Sequence, residues 1–206
     1  MMRLRSTRNL WLGLVVLLLA AGLTSCGGKP QNWQLKDITG VIPSLEFELT
    51  DQNGATLHAS DLRGSIVLLY FGYTHCPDVC PTTLATLTHA VKQLGAKGEA
   101  IRILFVSVDP ARDTQDILKR YVEAFGANVV GLRGDRKTLD ALTKRYRVTY
   151  GLGQPDAQGN YEVSHSSAVF VFDGKGNARL LGLDSEKADA FVQDLGQLLA
   201  SARNAN

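Results

Sequence analysis

Residues 65–84 read SIVLLYFGYTHCPDVCPTTL, and this stretch decides the fold. Its first seven residues are an apolar run rich in β-forming residues, which predicts a strand covered on both faces. Over 81–94, apolar residues recur every three or four positions and predict a helix. A second apolar run, IRILFVSV, follows at 101–108. Two buried strands joined by a helix form a βαβ unit, which predicts an α/β fold.

The flanking sequence completes one domain. Runs at 45–50 and 55–58 flank an Asn-Gly step that favours a tight turn, so a β-hairpin opens the domain. The further predictions are helices at 114–125, 137–146 and 185–200, and strands at 128–132, 163–172 and 178–183. We expect a central mixed sheet flanked by helices over 45–206.

The N-terminal residues have the layout of a secretory signal, with three arginines, no acidic residue and an apolar run at 10–23. That run is shorter than the roughly 20 residues of a transmembrane helix. It ends in LTSC, which resembles the lipobox of bacterial lipoproteins. We expect a signal peptide at 1–25, a lipid on Cys26 and a spacer over 26–44. An uncleaved anchor is the alternative, and both place the domain on the extracytoplasmic (periplasmic) side of a bacterial cell membrane.

Charge excludes one class of partner. Without the signal, 181 residues remain, with 19 basic and 20 acidic side chains. That length suffices for one domain with a substantial core. Nucleic-acid binding is expected to show as a basic patch or stripe, and nothing in this near-neutral balance suggests one. We therefore expect no nucleic acid among the partners.

Cys76 and Cys80 are the cysteines that remain beside Cys26. They lie where a buried strand ends and a helix begins, and the free N–H groups there lower thiol pKa values. Residues i and i+4 share one helix face, so both sulfurs can reach a common point. Two thiolates favour Cu(I), and an imidazole would complete a trigonal site, whereas zinc ordinarily takes a fourth ligand. A redox pair or a permanent surface disulfide are the alternatives.

Four histidines could supply the imidazole. We expect His58, in the hairpin, and His89, on the opposite helix face, to be surface residues. His75 could ligate, although its side chain is expected to point away. His165 lies in a polar loop before the apolar run at 168–172, and in a thioredoxin-like fold that strand entrance faces the cysteine helix.

Three segments carry a family resemblance. YFGYTHCPDVCPTTL at 70–84, VSVDPARDT at 106–114 and VSHSSAVFVFD at 163–173 resemble, in that order, the Sco/SenC family of copper chaperones. The resemblance runs from about residue 45 to the C-terminus. It implies a thioredoxin-like, peroxiredoxin-related fold.

The same resemblance implies a function. Cys76, Cys80 and His165 match the family's ligands for one copper ion, as Cu(I), Cu(II) or both. The implied partner is the copper-site subunit of cytochrome c oxidase, with a periplasmic copper donor or thiol reductant as further partners. The family's acidic motif falls on Asp109 and Asp113, which could orient the site loop, although Asp113 could equally cap a helix.

Two enzymatic interpretations compete with the copper-chaperone function. A thiol-disulfide oxidoreductase would use the same cysteine pair. Thioredoxin relatives, however, usually have a cis-proline just before the strand that begins near residue 168. This chain has no proline after Pro155, and His165 occupies that region. A peroxidase of the peroxiredoxin type needs a threonine three residues before its cysteine, where this chain has Tyr73 and Pro77. The sequence thus favours a metallochaperone, with the oxidoreductase as its rival.

Overall fold

Eight strands form one mixed sheet in the computed structural model, which describes residues 32–158 and 160–203. They are β1 (Lys36–Asp37), β2 (Glu48–Asp51), β3 (Thr56–His58), β4 (Ile66–Gly72), β5 (Ile101–Ser107), β6 (Val129–Arg133), β9 (Val169–Phe172) and β10 (Ala178–Gly182). A separate pair consists of β7 (Tyr150–Leu152) and β8 (Val163–His165). The predicted signal peptide and Cys26 lie outside the described residues.

The helices are α1 (Val79–Gln93), α2 (Gln115–Glu123), α3 (Arg136–Arg145) and α4 (Ala188–Arg203), with 3-10 turns at Ala59–Leu62 and Gly95–Ala100. Helices α1 and α4 pack against each other, and α2 packs against β6. Within the described ranges, no helix has an apolar stretch long enough to cross a bilayer.

The predicted βαβ unit is confirmed. Strands β4 and β5 run parallel in register from Ile66↔Ile101 to Gly72↔Ser107, and α1 connects them. Every residue of β4 is buried because the strand lies between β9 and β5. In open α/β sheets, ligands bind outside the carboxyl ends of such strands. The residues after Gly72 therefore occupy the position where a site is expected.

The sheet order is β1-β10-β9-β4-β5-β6-β2-β3. Strands β4, β5 and β6 are parallel to one another, whereas the other pairings are antiparallel. This is the mixed α/β architecture predicted from sequence. The opening hairpin is confirmed as well: β2 pairs with β3 around Gly54, whose φ of +87° suits glycine.

The strand predicted at 163–172 is divided in two. Residues Val163–His165 form β8, which leaves the main sheet and pairs with β7, while Val169–Phe172 form β9 beside β4. The apolar pattern could not show this break because β7 is only three residues long and lacks a strand pattern of its own.

Part of the segment predicted as spacer is ordered. Leu35 and Ile38 are buried, and Lys36 of β1 pairs with Leu181 of β10. The buried carboxylate of Asp194 in α4 accepts hydrogen bonds from backbone N–H groups of this segment, at 2.8 Å from the nitrogen of Leu35. A two-residue strand is too short to produce a periodic signal, so the sequence did not reveal it.

Candidate metal centre

The two cysteines are held by the turn that joins β4 to α1. Cys76 precedes the helix and is half-buried, whereas Cys80 lies in its first turn and is fully buried. The helix begins at Val79, two residues earlier than predicted. The backbone N–H of Cys80 points at the Sγ atom of Cys76, with an N–S distance of 3.4 Å. The spacing of four therefore brings both sulfurs to one side, as predicted.

His165, the last residue of β8, supplies the third donor. Its Nε2 atom lies 3.3 Å from the Sγ atom of Cys80, and its Nδ1 atom lies 3.0 Å from the carbonyl oxygen of Ser166. A carbonyl oxygen only accepts, so Nδ1 carries the proton and donates. This fixes the tautomer in which the Nε2 lone pair faces the cysteines, as in metal-binding histidines.

Sγ of Cys76, Sγ of Cys80 and a ring nitrogen of His165 all lie within 4.8 Å of one another. Among the described residues, this is the single group of three or more Cys, His, Asp or Glu side chains with metal-binding geometry. Two sulfurs and one imidazole are soft to intermediate donors that suit copper. The donor set therefore fits the metal that the sequence resemblance implies.

The two thiols differ in acidity. Burial opposes ionisation of Cys76, but hydrogen bonds from the backbone N–H groups of Cys80 and Asp78, together with those from the side chains of Cys80 and Tyr73, lower the pKa of the Cys76 thiol. Burial dominates at Cys80 and raises the pKa of its thiol to about 12. Cys76 is thus the more nucleophilic thiol of the metal-free pair, and Cys80 must lose its proton when it binds a metal.

The other histidines stand apart from the cluster. Nδ1 of His75 lies 3.5 Å from Oδ1 of the buried Asp113, and His75 is not in the group formed by the two sulfurs and His165. His58 pairs with a glutamate of β2, and His89 with a glutamine one turn along α1. These placements agree with the surface or outward positions predicted from sequence.

A family model described as SCO1/SenC matches residues 41–200. This chain belongs to the SCO1/SenC family. The resemblance seen in the three sequence segments and the thioredoxin-like fold are thereby confirmed.

Several SCO relatives can be compared directly. An SCO2-like protein of Rickettsia felis is 37% identical over 132 residues, which cover 64% of each chain. A mitochondrial SCO2 homolog of Bos taurus is 40% identical over 133 residues, 64% of this chain and 50% of that one. The match thus spans less than two thirds of these relatives. The copper-bound structure of Bradyrhizobium japonicum ScoI superposes with a TM-score of 0.69 at 32% identity, covering 76% of this chain and 99% of that one.

In this SCO1/SenC chain, Asp113 holds the turn that precedes Cys76. Its buried carboxylate accepts hydrogen bonds from the N–H of Thr74 at 3.0 Å and from its hydroxyl at 2.6 Å. The Ser107 hydroxyl at the end of β5 donates to the same carboxylate. The capping alternative for Asp113 is wrong, because the N-cap of α2 is Thr114, whose side chain accepts from the N–H of Ile117.

Asp109 anchors a second set of contacts beside the SCO1/SenC cluster. Its buried carboxylate accepts from Nε of Arg112 and, at 2.6 Å, from the hydroxyl of Tyr161. The guanidinium carbon of Arg112 lies 3.7 Å from the ring centre of Tyr161 and 5.8 Å from that of Tyr73. The ring of Tyr73 in turn meets that of His165 edge-on at 5.7 Å. Asp109 is thus connected to the ring of His165 through Arg112 and Tyr73.

The sequence alone does not predict the contacts of Arg112 and Tyr161 with Asp109. Arg112 lies within the VSVDPARDT segment, where its spacing of three from Asp109 was the available signal. Tyr161 lies 52 positions from Asp109, in a polar segment without periodicity, and nothing local marks it.

Proposed function

We propose that Cys76, Cys80 and His165 bind one copper ion per chain, and that the protein passes copper to the binuclear copper site of a cytochrome c oxidase subunit during assembly. The convergence of three soft to intermediate donors within 4.8 Å carries this proposal. Its support from relatives is the copper bound to the Bradyrhizobium ScoI structure. Three ligands leave room for a ligand of the recipient to join before the others leave.

The test is a metal titration of the full reduced chain, anaerobically with Cu(I) against a chelator of known affinity and aerobically with Cu(II). We expect one tightly bound copper per chain. Cys76→Ser, Cys80→Ser and His165→Ala should each remove tight binding. His89→Ala is the matched control, since His89 is exposed and its ring nitrogen forms a hydrogen bond with a glutamine in its own helix. Equal affinity in all four variants would contradict the three-ligand site.

A second candidate function rests on the neighbouring thiols: the backbone N–H of Cys80 lies 3.4 Å from Sγ of Cys76, and the half-buried Cys76 has the lower thiol pKa of the two. The Cys76 thiolate would attack a disulfide of the oxidase copper site, forming a mixed disulfide and releasing one client thiolate. Cys80, as its proton leaves, would then attack Sγ of Cys76 and release the second client thiol. Two electrons and the Cys80 proton pass to the client, the client thiolate released first takes its proton from water, and a thiol reductant must restore the pair. Lack of tight copper binding together with rapid disulfide exchange would favour this role.

We further propose that a lipid on Cys26 anchors the domain to the extracytoplasmic face of a bacterial membrane, with a copper donor or thiol reductant supplying the site there. Several acyl chains on one residue give a stable tether, whereas one chain alone binds reversibly. The mass of the N-terminal peptide from membrane fractions tests this. A peptide that begins upstream of Cys26 and carries no lipid would overturn it.

A further inference from the structure

The outer edge of β8 is a feature that the metal site itself does not use. On the edge that faces β7, backbone hydrogen bonds join β8 to β7 at both ends of the ladder; the opposite edge is the outer edge. The N–H of Gly153 donates to the carbonyl of Glu162 at 2.8 Å, and the N–H of Ser166 donates to that of Thr149 at 3.0 Å. These contacts fix which residues of β8 face β7.

In an antiparallel ladder, hydrogen-bonded and non-hydrogen-bonded pairs alternate. Val163 lies opposite Leu152 and His165 opposite Tyr150, each one position from a hydrogen-bonded pair. The backbone N–H and C=O groups of Val163 and His165 therefore point away from β7. The backbone hydrogen bonds of the described residues include none to these four groups, and no further strand there pairs with β8.

A groove of about 380 Å³ is lined by residues 163–165 of β8. Cys76, Pro77 and Val79 line it as well. Val79 is 37% exposed although it is apolar. Residues of β8 with unpaired backbone groups thus line the same partly apolar groove as Cys76, with Val163 buried and His165 half-buried.

The groove is acidic. Asp78 and Asp184 both line it, and its lining residues include no lysine or arginine. Both carboxylates are exposed to solvent. Like-charge contacts select against acidic partners, whereas a basic segment is attracted.

We propose that the groove receives an extended segment of the copper-accepting protein that bears lysine or arginine and pairs with the outer edge of β8. This inference rests on the proposed copper transfer. Main-chain hydrogen bonds to Val163 and His165 would hold the segment, as in other cases of strand addition. Every second side chain of a strand points to one face, so a cysteine or histidine of the segment would lie beside the bound ion.

The probes are blocked peptides added to the 15N-labelled full chain, both metal-free and loaded with Cu(I). The first is acetyl-Gly-Lys-Val-Thr-Ser-Val-Lys-Gly-amide. The second replaces both lysines with glutamate, and the third is the first with alternate backbone nitrogens methylated. We expect the lysine peptide to shift the amide signals of Val163 and His165, and to bind roughly tenfold more tightly than the glutamate peptide. The third peptide should not bind when its methylated nitrogens lie on the edge that would pair with β8.

Two variants isolate the charge contribution. Asp184→Asn should weaken binding of the lysine peptide several-fold, whereas Asp116→Asn makes the same charge change on the exposed surface of α2 and should not. Absent binding, equal binding of all three peptides, or shifts confined to other surfaces would overturn the proposal. The metal-free chain is tested as well. If it bound the lysine peptide but the chain had no affinity for copper, only the copper proposal would be refuted.

Discussion

Nε2 of His165 and Sγ of Cys80 lie 3.3 Å apart although 85 positions separate them in the chain. The antiparallel pairing of β4 with β9, which includes Tyr70↔Val169, brings the two segments together. The thiol pair is a local feature of one turn, whereas the imidazole joins it only in the folded sheet. Copper affinity and disulfide formation should therefore respond differently to substitution of the histidine.

His165→Ala should weaken copper binding and leave the Cys76–Cys80 disulfide able to form. We expect a loss of more than about 100-fold in affinity, since even the outer-shell partners of metal ligands contribute about 10–100-fold. Competition with a Cu(I) chelator measures the affinity, and mass spectrometry after mild oxidation detects the disulfide. Unchanged copper affinity would eliminate His165 as a ligand, and loss of the disulfide would show that the substitution disturbs the cysteine turn itself.

The metal-free thiols should differ in alkylation. The thiolate is the reactive form, so the lowered pKa of Cys76 predicts a larger thiolate fraction than an ordinary cysteine has at the same pH, and a reaction with iodoacetamide that slows as the pH falls below that pKa. Cys80 is buried, and with a pKa of about 12 its thiolate population increases with pH up to that value. Peptide mapping by mass spectrometry resolves each site.

The urea-unfolded chain is the control for this experiment. Both cysteines are then solvated, so their rates should converge. Equal rates in the folded chain, or faster reaction of Cys80, would contradict the unequal environments of the two thiols.

The site divides into parts that the sequence could and could not predict. The proximity of the Cys76 and Cys80 sulfurs follows from a spacing of four at a helix start, and the βαβ unit follows from two apolar runs. The position of His165 beside them required the resemblance and the fold, because a loop histidine has no periodic signal. Contacts such as that between Asp109 and Tyr161 arise from loop packing, which leaves no local pattern. The departure of β8 from the main sheet also depends on a distant partner.

Tyr161→Phe should destabilise the metal-free protein. It removes the hydroxyl that donates to the buried carboxylate of Asp109 at 2.6 Å. Hydrogen bonds to charged groups contribute about 1.5–3 kcal/mol, and we expect a decrease of that size in the free energy of unfolding in urea. Tyr150→Phe is the exposed control: the hydroxyl of Tyr150 donates to the exposed carboxylate of Asp140 and also accepts from Arg136. Equal losses in both variants would show that burial of Asp109 does not strengthen its contact.

Gly72→Ala should disturb both stability and metal affinity, because Gly72 ends β4 directly behind the cysteine turn. A Cβ atom there would lie 2.6 Å from Cε2 of Phe105 and 3.0 Å from Sγ of Cys80. Overpacking of this kind costs about 1–3 kcal/mol, and displacement of Sγ would spoil its approach to the imidazole. Urea unfolding and Cu(I) competition measure the two effects.

Gly196→Ala in α4 is the control for Gly72→Ala. The new Cβ atom at position 196 would meet no atom nearer than 3.8 Å, and alanine in a helix interior is more stable than glycine by about 0.5–1 kcal/mol. If Gly72→Ala matched this control in stability and copper affinity, close packing behind Cys80 would have no part in shaping the site.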